Sequence, residues 1–160
     1  MNPRRGRTLS DSAFLFDSSV WVALAFNAHP AHRAAVEAFG MTSKHRPACF
    51  CRSTQLSFLR LASTLVILKA YGVSAMTNED AFKTFEAFSA NPAVTYREEP
   101  SGLSSLWPRM ATRSIASPKV WMDAYLAAFA IAGGLTMVTL DADFNAFNRQ
   151  GLDLVLIDIP

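Results

Sequence analysis

Apolar and polar positions along the chain switch between a strand-like and a helix-like period, and the switches predict the elements. An apolar run at residues 13–16 stops at Asp17, and Ser18-Ser19 leads into a second apolar stretch at 20–26. This reads as a buried strand, a turn carrying an acid, and a helix. His29-Pro30 breaks that helix, and residues 32–39 form another with Ala35, Val36 and Phe39 on one side. Residues 47–51 predict a second strand, followed by Ser53 or Thr54 as N-cap of a helix holding Leu56, Leu59 and Leu61. The helical signal weakens at Ser63-Thr64 and resumes over 65–70, up to Gly72.

Thr77-Asn-Glu-Asp80 has the cap-plus-acid signature of a helix start, with an amphipathic helix over 81–90 whose Phe82, Phe85 and Phe88 read as core filler. Residues 94–97 alternate like a strand, and 101–112 read as helix, with Pro108 marking a kink or an end. The alanine-rich segment 120–132, closed by Gly133-Gly134, is the clearest helix. Residues 135–140 predict a strand ending at Asp141, and 154–157 a last strand. Helices alternating with short apolar strands imply an α/β sandwich around a mostly parallel sheet of four or five strands. Such sheets place their sites at the carboxyl ends of the strands.

Composition narrows this picture. The 160 residues fit a single domain, expected over 13–160. Residues 1–12, with Arg4, Arg5 and Arg7, read as a flexible basic leader rather than a secretory signal. With 51% hydrophobic and 18% charged residues and a mean hydropathy of +0.17, the chain is apolar for its class. Either its core is large or some apolar surface awaits a partner. No run approaches the roughly 18 apolar residues of a membrane-spanning helix. A net charge of +2 neither requires nor excludes nucleic acid. Cys49 and Cys51 share one strand face, where a disulfide is strained, so buried reduced thiols of a cytoplasmic protein are expected.

The candidate chemistry lies in acids. Asp17 and Asp141 each follow a buried apolar strand, Asp123 opens the best helix, and Asp143 is a possible fourth. A carboxylate so close to the core is costly without a cation or hydrogen bonds. Singly, each acid is a plausible helix cap. Jointly they suit Mg²⁺ or Mn²⁺, and the chemistry that follows is phosphodiester hydrolysis, which needs no His or Lys base.

Four blocks, in order, carry a resemblance. Phe14-Leu-Phe-Asp-Ser-Ser-Val-Trp-Val-Ala-Leu24, the segment 29–35, Thr54-Gln-Leu-Ser-Phe-Leu-Arg-Leu61, and Asp123-Ala-Tyr-Leu-Ala-Ala-Phe-Ala130 followed by Val138-Thr-Leu-Asp-Ala-Asp-Phe144 together resemble PIN domains, especially the VapC toxins. The resemblance implies a three-layer α/β/α sandwich, a homodimer, an Mg²⁺ or Mn²⁺ site and endonucleolytic cleavage of RNA. It also implies neutralisation by a cognate antitoxin whose tail lies over the site. Carried onto this chain, Asp17, Asp123 and Asp141 are the catalytic and metal-binding acids, and Asp143 matches an additional acid often present. The family usually places Glu where this chain has Gln55. A neutral carbonyl attracts a divalent ion less than a carboxylate does, so a weaker metal site is expected.

Smaller expectations attach to other residues. Ser19 reads as a ligand of metal-bound water or an N-cap, Thr139 as a support behind the site, and Arg60 as a contact for RNA phosphate or a carboxylate. His29, His32 and His45 read as surface residues, and Trp21, Trp107 and Trp121 as buried or interface packing. Two rival functions stand beside the nuclease. One is a weakened PIN module that only binds antitoxin or RNA, with Gln55 as the lesion. The other is a phosphoacceptor or aspartyl phosphatase, which lacks the second Asp it needs two residues after Asp17.

Overall fold

Five strands of three or four residues carry the fold: β1 (Phe14–Phe16), β2 (Ala48–Phe50), β3 (Val94–Tyr96), β4 (Thr136–Thr139) and β5 (Asp153–Leu156). The computed structural model describes residues 12–74 and 76–159, so the basic leader, Ser12 apart, lies outside the described residues. All strand pairs are parallel, in the order β3-β2-β1-β4-β5. The chain builds outward from β1 through β2 to β3, then returns to lay β4 on the other side of β1. The strand order therefore reverses between β1 and β4, where open α/β sheets form their crevice.

The period-2 alternation divides the sheet between two cores. Phe14, Phe16, Ala48, Phe50, Val94 and Val138 point to one face. There they meet α1 (Ser18–Ala25), α2 (His32–Phe39), α3 (Arg52–Ala62), α4 (Leu65–Ala70) and α5 (Asn78–Ser89). Leu15, Cys49 and Met137 point to the other face. They pack on α6 (Leu103–Ala111), α7 (Val120–Gly133) and the 3₁₀ segment Ala142–Gln150. The result is the three-layer α/β/α sandwich expected above.

Trp21 anchors the first core. It is fully buried, stacks on Phe50 at 3.9 Å between centroids, and donates its Nε1 hydrogen to the Phe16 carbonyl at 3.1 Å. Phe16 and Phe88 close round the same ring, so β1, β2, α1 and α5 meet at one side chain. Gly134 caps α7 at φ +61°, a left-handed conformation that favours glycine.

Several local expectations need correction. The cap of α3 is Cys51, not Ser53 or Thr54; the Thr54 hydroxyl instead reaches back to accept from the Cys51 N–H at 3.0 Å. Ser63-Thr64 breaks the predicted continuation, and α4 is a separate helix. Pro108 lies inside α6 without ending it. Val36, Leu56 and Phe82 are exposed, because their helices pack through Ala35, Phe58 and Ala81 instead. His29 and His32 are half-buried, not surface residues. His29 Nδ1 accepts from the Ala31 N–H, and His32 Nδ1 lies 2.8 Å from the Ala23 carbonyl oxygen. Trp21 is buried, and Trp121 is half-exposed, which the interface half of its expectation allows. Cys49 and Cys51 are free and buried, as expected.

Replacing Trp21 by Ala leaves a cavity where four elements meet. A loss of about 3–5 kcal/mol in unfolding free energy is expected, measured by urea titration. Trp21→Phe, which keeps much of the ring packing but not the hydrogen bond, is expected to lose distinctly less.

Candidate active site

Each acid reaches the crevice by a local rule. Asp17 ends β1 and caps α1, and Asp141 follows β4 and caps the 3₁₀ segment. The capping reading is therefore true of both, and the caps themselves aim the carboxylates at the sheet edge. Asp123 stands in the first turn of α7, and Asp143 in the first turn of the 3₁₀ segment.

Asp17 is buried and held on both oxygens. Its Oδ1 accepts from the Ser18 N–H at 2.7 Å, and its Oδ2 accepts from the hydroxyls of Ser19 and Thr139, each at 2.9 Å. Thr139 is wholly buried and also accepts from the Asp141 N–H at 3.0 Å, so one hydroxyl ties the ends of β1 and β4 together. Ser19 makes a second tie by accepting from the Leu140 N–H at 3.3 Å. It orients Asp17 and is not the N-cap.

The other acids are more open. Asp141 Oδ1 accepts from the Asp143 N–H at 2.9 Å, while its Oδ2 lies 3.1 Å from Lys119 Nζ. The same ammonium reaches Asp143 Oδ2 at 2.5 Å. Burial holds the Asp123 carboxyl above the ordinary carboxylate range; Lys119 opposes the shift, and the negative charges of Asp141, Asp17 and Asp143 add to it. The two carboxylates hold the Lys119 ammonium well above its usual value. Asp17, Asp123, Asp141 and Asp143 thus form one electrostatic cluster, and Lys119 is drawn into it.

Gln55 is buried on the first turns of α3, after β2, and its Oε1 accepts from Arg52 Nη1 at 2.5 Å. The carbonyl oxygen expected to face an ion is therefore engaged by a guanidinium. Arg60 is exposed and lines a different groove, with Leu59, Asn78 and Phe82. Lys119 escaped the reading of the sequence, although its place four residues ahead of Asp123 on a helical path was the available signal.

The donor set fits a hard divalent cation: four carboxylates, mutual repulsion that a cation would relieve, and a lysine already attracted to the spot. Among the described residues no three His, Cys, Asp or Glu side chains stand together at ligating distance. Asp123 is half-buried and Asp143 exposed.

The PIN domain model matches residues 14–150. Ribonuclease VapC41 of Mycobacterium tuberculosis is 40% identical over 144 residues, covering 89% of this chain and 97% of the relative. Two solved structures superpose with a TM-score of 0.58 at 16% identity. VapBC2 from Rickettsia felis, bound to a DNA fragment from its promoter, covers 91% of this chain and 99% of its own. VapC20 of Mycobacterium tuberculosis, described as a toxin cleaving the sarcin–ricin loop, covers 92% and 100%. The four sequence blocks, the parallel sheet and these relatives agree, and the chain belongs to the PIN-domain family, as a member of its VapC type.

Proposed function

We propose that this chain is an endoribonuclease toxin that hydrolyses RNA phosphodiester bonds, with Mg²⁺ or Mn²⁺ held by Asp17, Asp123 and Asp141 and assisted by Asp143. The observation that carries the reading is a buried Asp17 at the switch between β1 and β4, held by hydrogen bonds from Ser18, Ser19 and Thr139, with Asp123 within electrostatic reach of it and of Asp141 and Asp143. Near-complete coverage by a relative named as a ribonuclease supports it.

The chemistry such an ion supplies is Lewis-acid activation of water and neutralisation of charge on the phosphate. The chain's own residues prepare for it. Ser18, Ser19 and Thr139 hold Asp17 in one rotamer, so a negative charge is fixed at the floor before anything binds. Thr139 fixes the start of the Asp141 turn from the same hydroxyl. Lys119, a single positive charge, occupies Asp141 and Asp143 in the meantime, and once displaced it becomes a cation free to meet substrate phosphate.

A cognate antitoxin and a second copy of the chain are the proposed partners. The exposed apolar side chains of Leu56, Leu65, Val66 and Phe82 on α3, α4 and α5 offer surface for them. Cytoplasmic action fits the two free thiols, and no helix among the described residues is long and apolar enough to cross a membrane. The binding-only module remains the second reading, since Gln55 is neutral and bonded to Arg52.

Incubating structured RNA with the protein in Mg²⁺, Mn²⁺ or EDTA separates the two readings. Cleavage that needs the metal and falls at least about a hundredfold in Asp17→Asn is expected. RNA binding without metal-dependent cleavage would favour the module.

The Asp123 shift has a signed consequence. A carboxyl raised above its unfolded value binds more protons in the native state, so metal-free stability falls as pH rises through that raised value. Asp123→Asn removes the ionisation. In EDTA its melting temperature should exceed wild type by roughly 1–2 °C at neutral pH, the group being partly open to solvent, and the gap should close at acid pH.

Lys119→Met removes the competing cation. Calorimetric titration with Mn²⁺ should give roughly three- to fivefold tighter binding than wild type, and Lys119→Arg should behave like wild type. Weaker binding in Lys119→Met would contradict the competition.

A further inference from the structure

Gln55 and Arg52 form a pair at the start of α3 that a metal site does not explain. We propose that Arg52 binds a phosphate of the RNA strand, one or two nucleotides from the phosphate at the acids, and that Gln55 is the residue that positions it. The proposal rests on the ribonuclease reading and gives the neutral side chain at position 55 a task of its own.

The guanidinium is held from two sides. Gln55 is buried, and its Oε1 accepts from Arg52 Nη1 at 2.5 Å. Arg52 Cζ lies over the Tyr96 ring of β3, 5.1 Å from its centre. A carbonyl and a ring face orient the group without cancelling its charge, whereas a glutamate at position 55 would neutralise it. Arg52 itself is exposed, and among the described residues no carboxylate pairs with it. Of the nearby acids, Glu99 accepts from Tyr125, and Glu98 lines a separate groove with Arg97. Helix stability does not account for the pair either. Arg52 is the first residue of α3, where the helix dipole disfavours a cation, and no acid in the first turn offsets it. An oriented guanidinium, fully charged and open to water, is the form in which arginine takes a phosphate through two parallel bonds.

The register of the sheet sets this group beside the acids. Leu15 pairs with Cys49, so β1 ending at Asp17 and β2 ending at Cys51 finish on the same edge. Arg52 follows Cys51, and neighbouring strands are about 5 Å apart. The next residue, Ser53, touches Met122 Sδ with its hydroxyl, and Met122 precedes Asp123. A strand laid across the carboxyl ends of β4, β1 and β2 therefore meets the acids first and Arg52 next. The contact is to the RNA backbone, so it adds affinity whatever the base sequence.

The test uses the full chain in an Asp17→Asn background with Mg²⁺ and a labelled single-stranded oligoribonucleotide, read by anisotropy. Gln55→Glu, which sets a carboxylate against Arg52, should weaken binding roughly fivefold, and Arg52→Gln should do the same. Once Arg52→Gln is present, adding Gln55→Glu should change affinity by less than about twofold, because the charge it neutralises is gone. The slope of log affinity against log salt should shrink by about 0.7 in Arg52→Gln. With Asp17 intact, Arg52→Gln should raise KM for RNA cleavage and leave kcat within about twofold. Arg52→Lys, which keeps the charge but not the fork, should restore part of the affinity.

If Gln55→Glu tightens Mn²⁺ binding and speeds cleavage without weakening RNA binding, the proposal is overturned and Gln55 belongs to the metal site. Equal losses from Gln55→Glu with and without Arg52, or unchanged binding in Arg52→Gln, overturn it as well. Arg52 is exposed, so its variants test the proposal even where a buried glutamate unfolds the chain. In each case metal-dependent cleavage by wild type leaves the ribonuclease reading standing. RNA that is neither bound nor cut by wild type overturns both.

Discussion

The hydrogen bond from the Thr139 hydroxyl to Asp17 is the interaction on which the rest of the site depends. It joins residues 122 positions apart in sequence, at the one place where the order of the strands reverses. A carboxylate buried at the end of a central strand is unfavourable unless donors surround it. The fold supplies them from both sides: Ser18 and Ser19 from the start of α1, Thr139 from β4. Because Thr139 also takes the Asp141 N–H, the orientation of one acid sets the backbone that carries the next. Charge placement and strand pairing are thus one constraint.

Around that floor the site becomes progressively looser. Asp17 is buried, Asp141 is partly open, and Asp143 stands in solvent beside an exposed lysine. The gradient separates two tasks. The buried acid defines position, while the outer groups can exchange partners as cation and phosphate arrive.

Much of this was legible in the sequence, for identifiable reasons. Strand–helix alternation follows from periodicity, and each strand's own alternation divides the two cores: Phe14 and Phe16 on one side, Leu15 on the other. Asp17 and Asp141 could be read because an acid terminating an apolar run is visible locally. Other features were not local. Sequence offered Ser53 and Thr54 as caps because both are standard capping residues, but the backbone of Cys51 leaves β2 in an extended conformation and caps the helix two residues before Ser53. Phe82 has the spacing of a core residue, yet the small Ala81 faces the neighbouring helix instead. Gln55 was expected to look toward an ion; its bond to Arg52 depends on a side chain three residues away on the same helix, which no motif encodes. Lys119 was seen only as a residue in sequence, because its partners are brought to it by the turn after β4.

The two cysteines give the sheet a chemical polarity. Both thiols belong to the core beneath α6 and α7, and burial pushes each of them above the ordinary thiol range. In the closed protein they are protonated and shielded, which makes them poor nucleophiles toward alkylating reagents. Neither lies in the core beneath α1 to α5. The rate at which a thiol reagent modifies Cys49 therefore reports chiefly on the opening of the layer that carries Asp123, whereas Cys51, whose sulfur the Thr54 hydroxyl touches, also senses the start of α3.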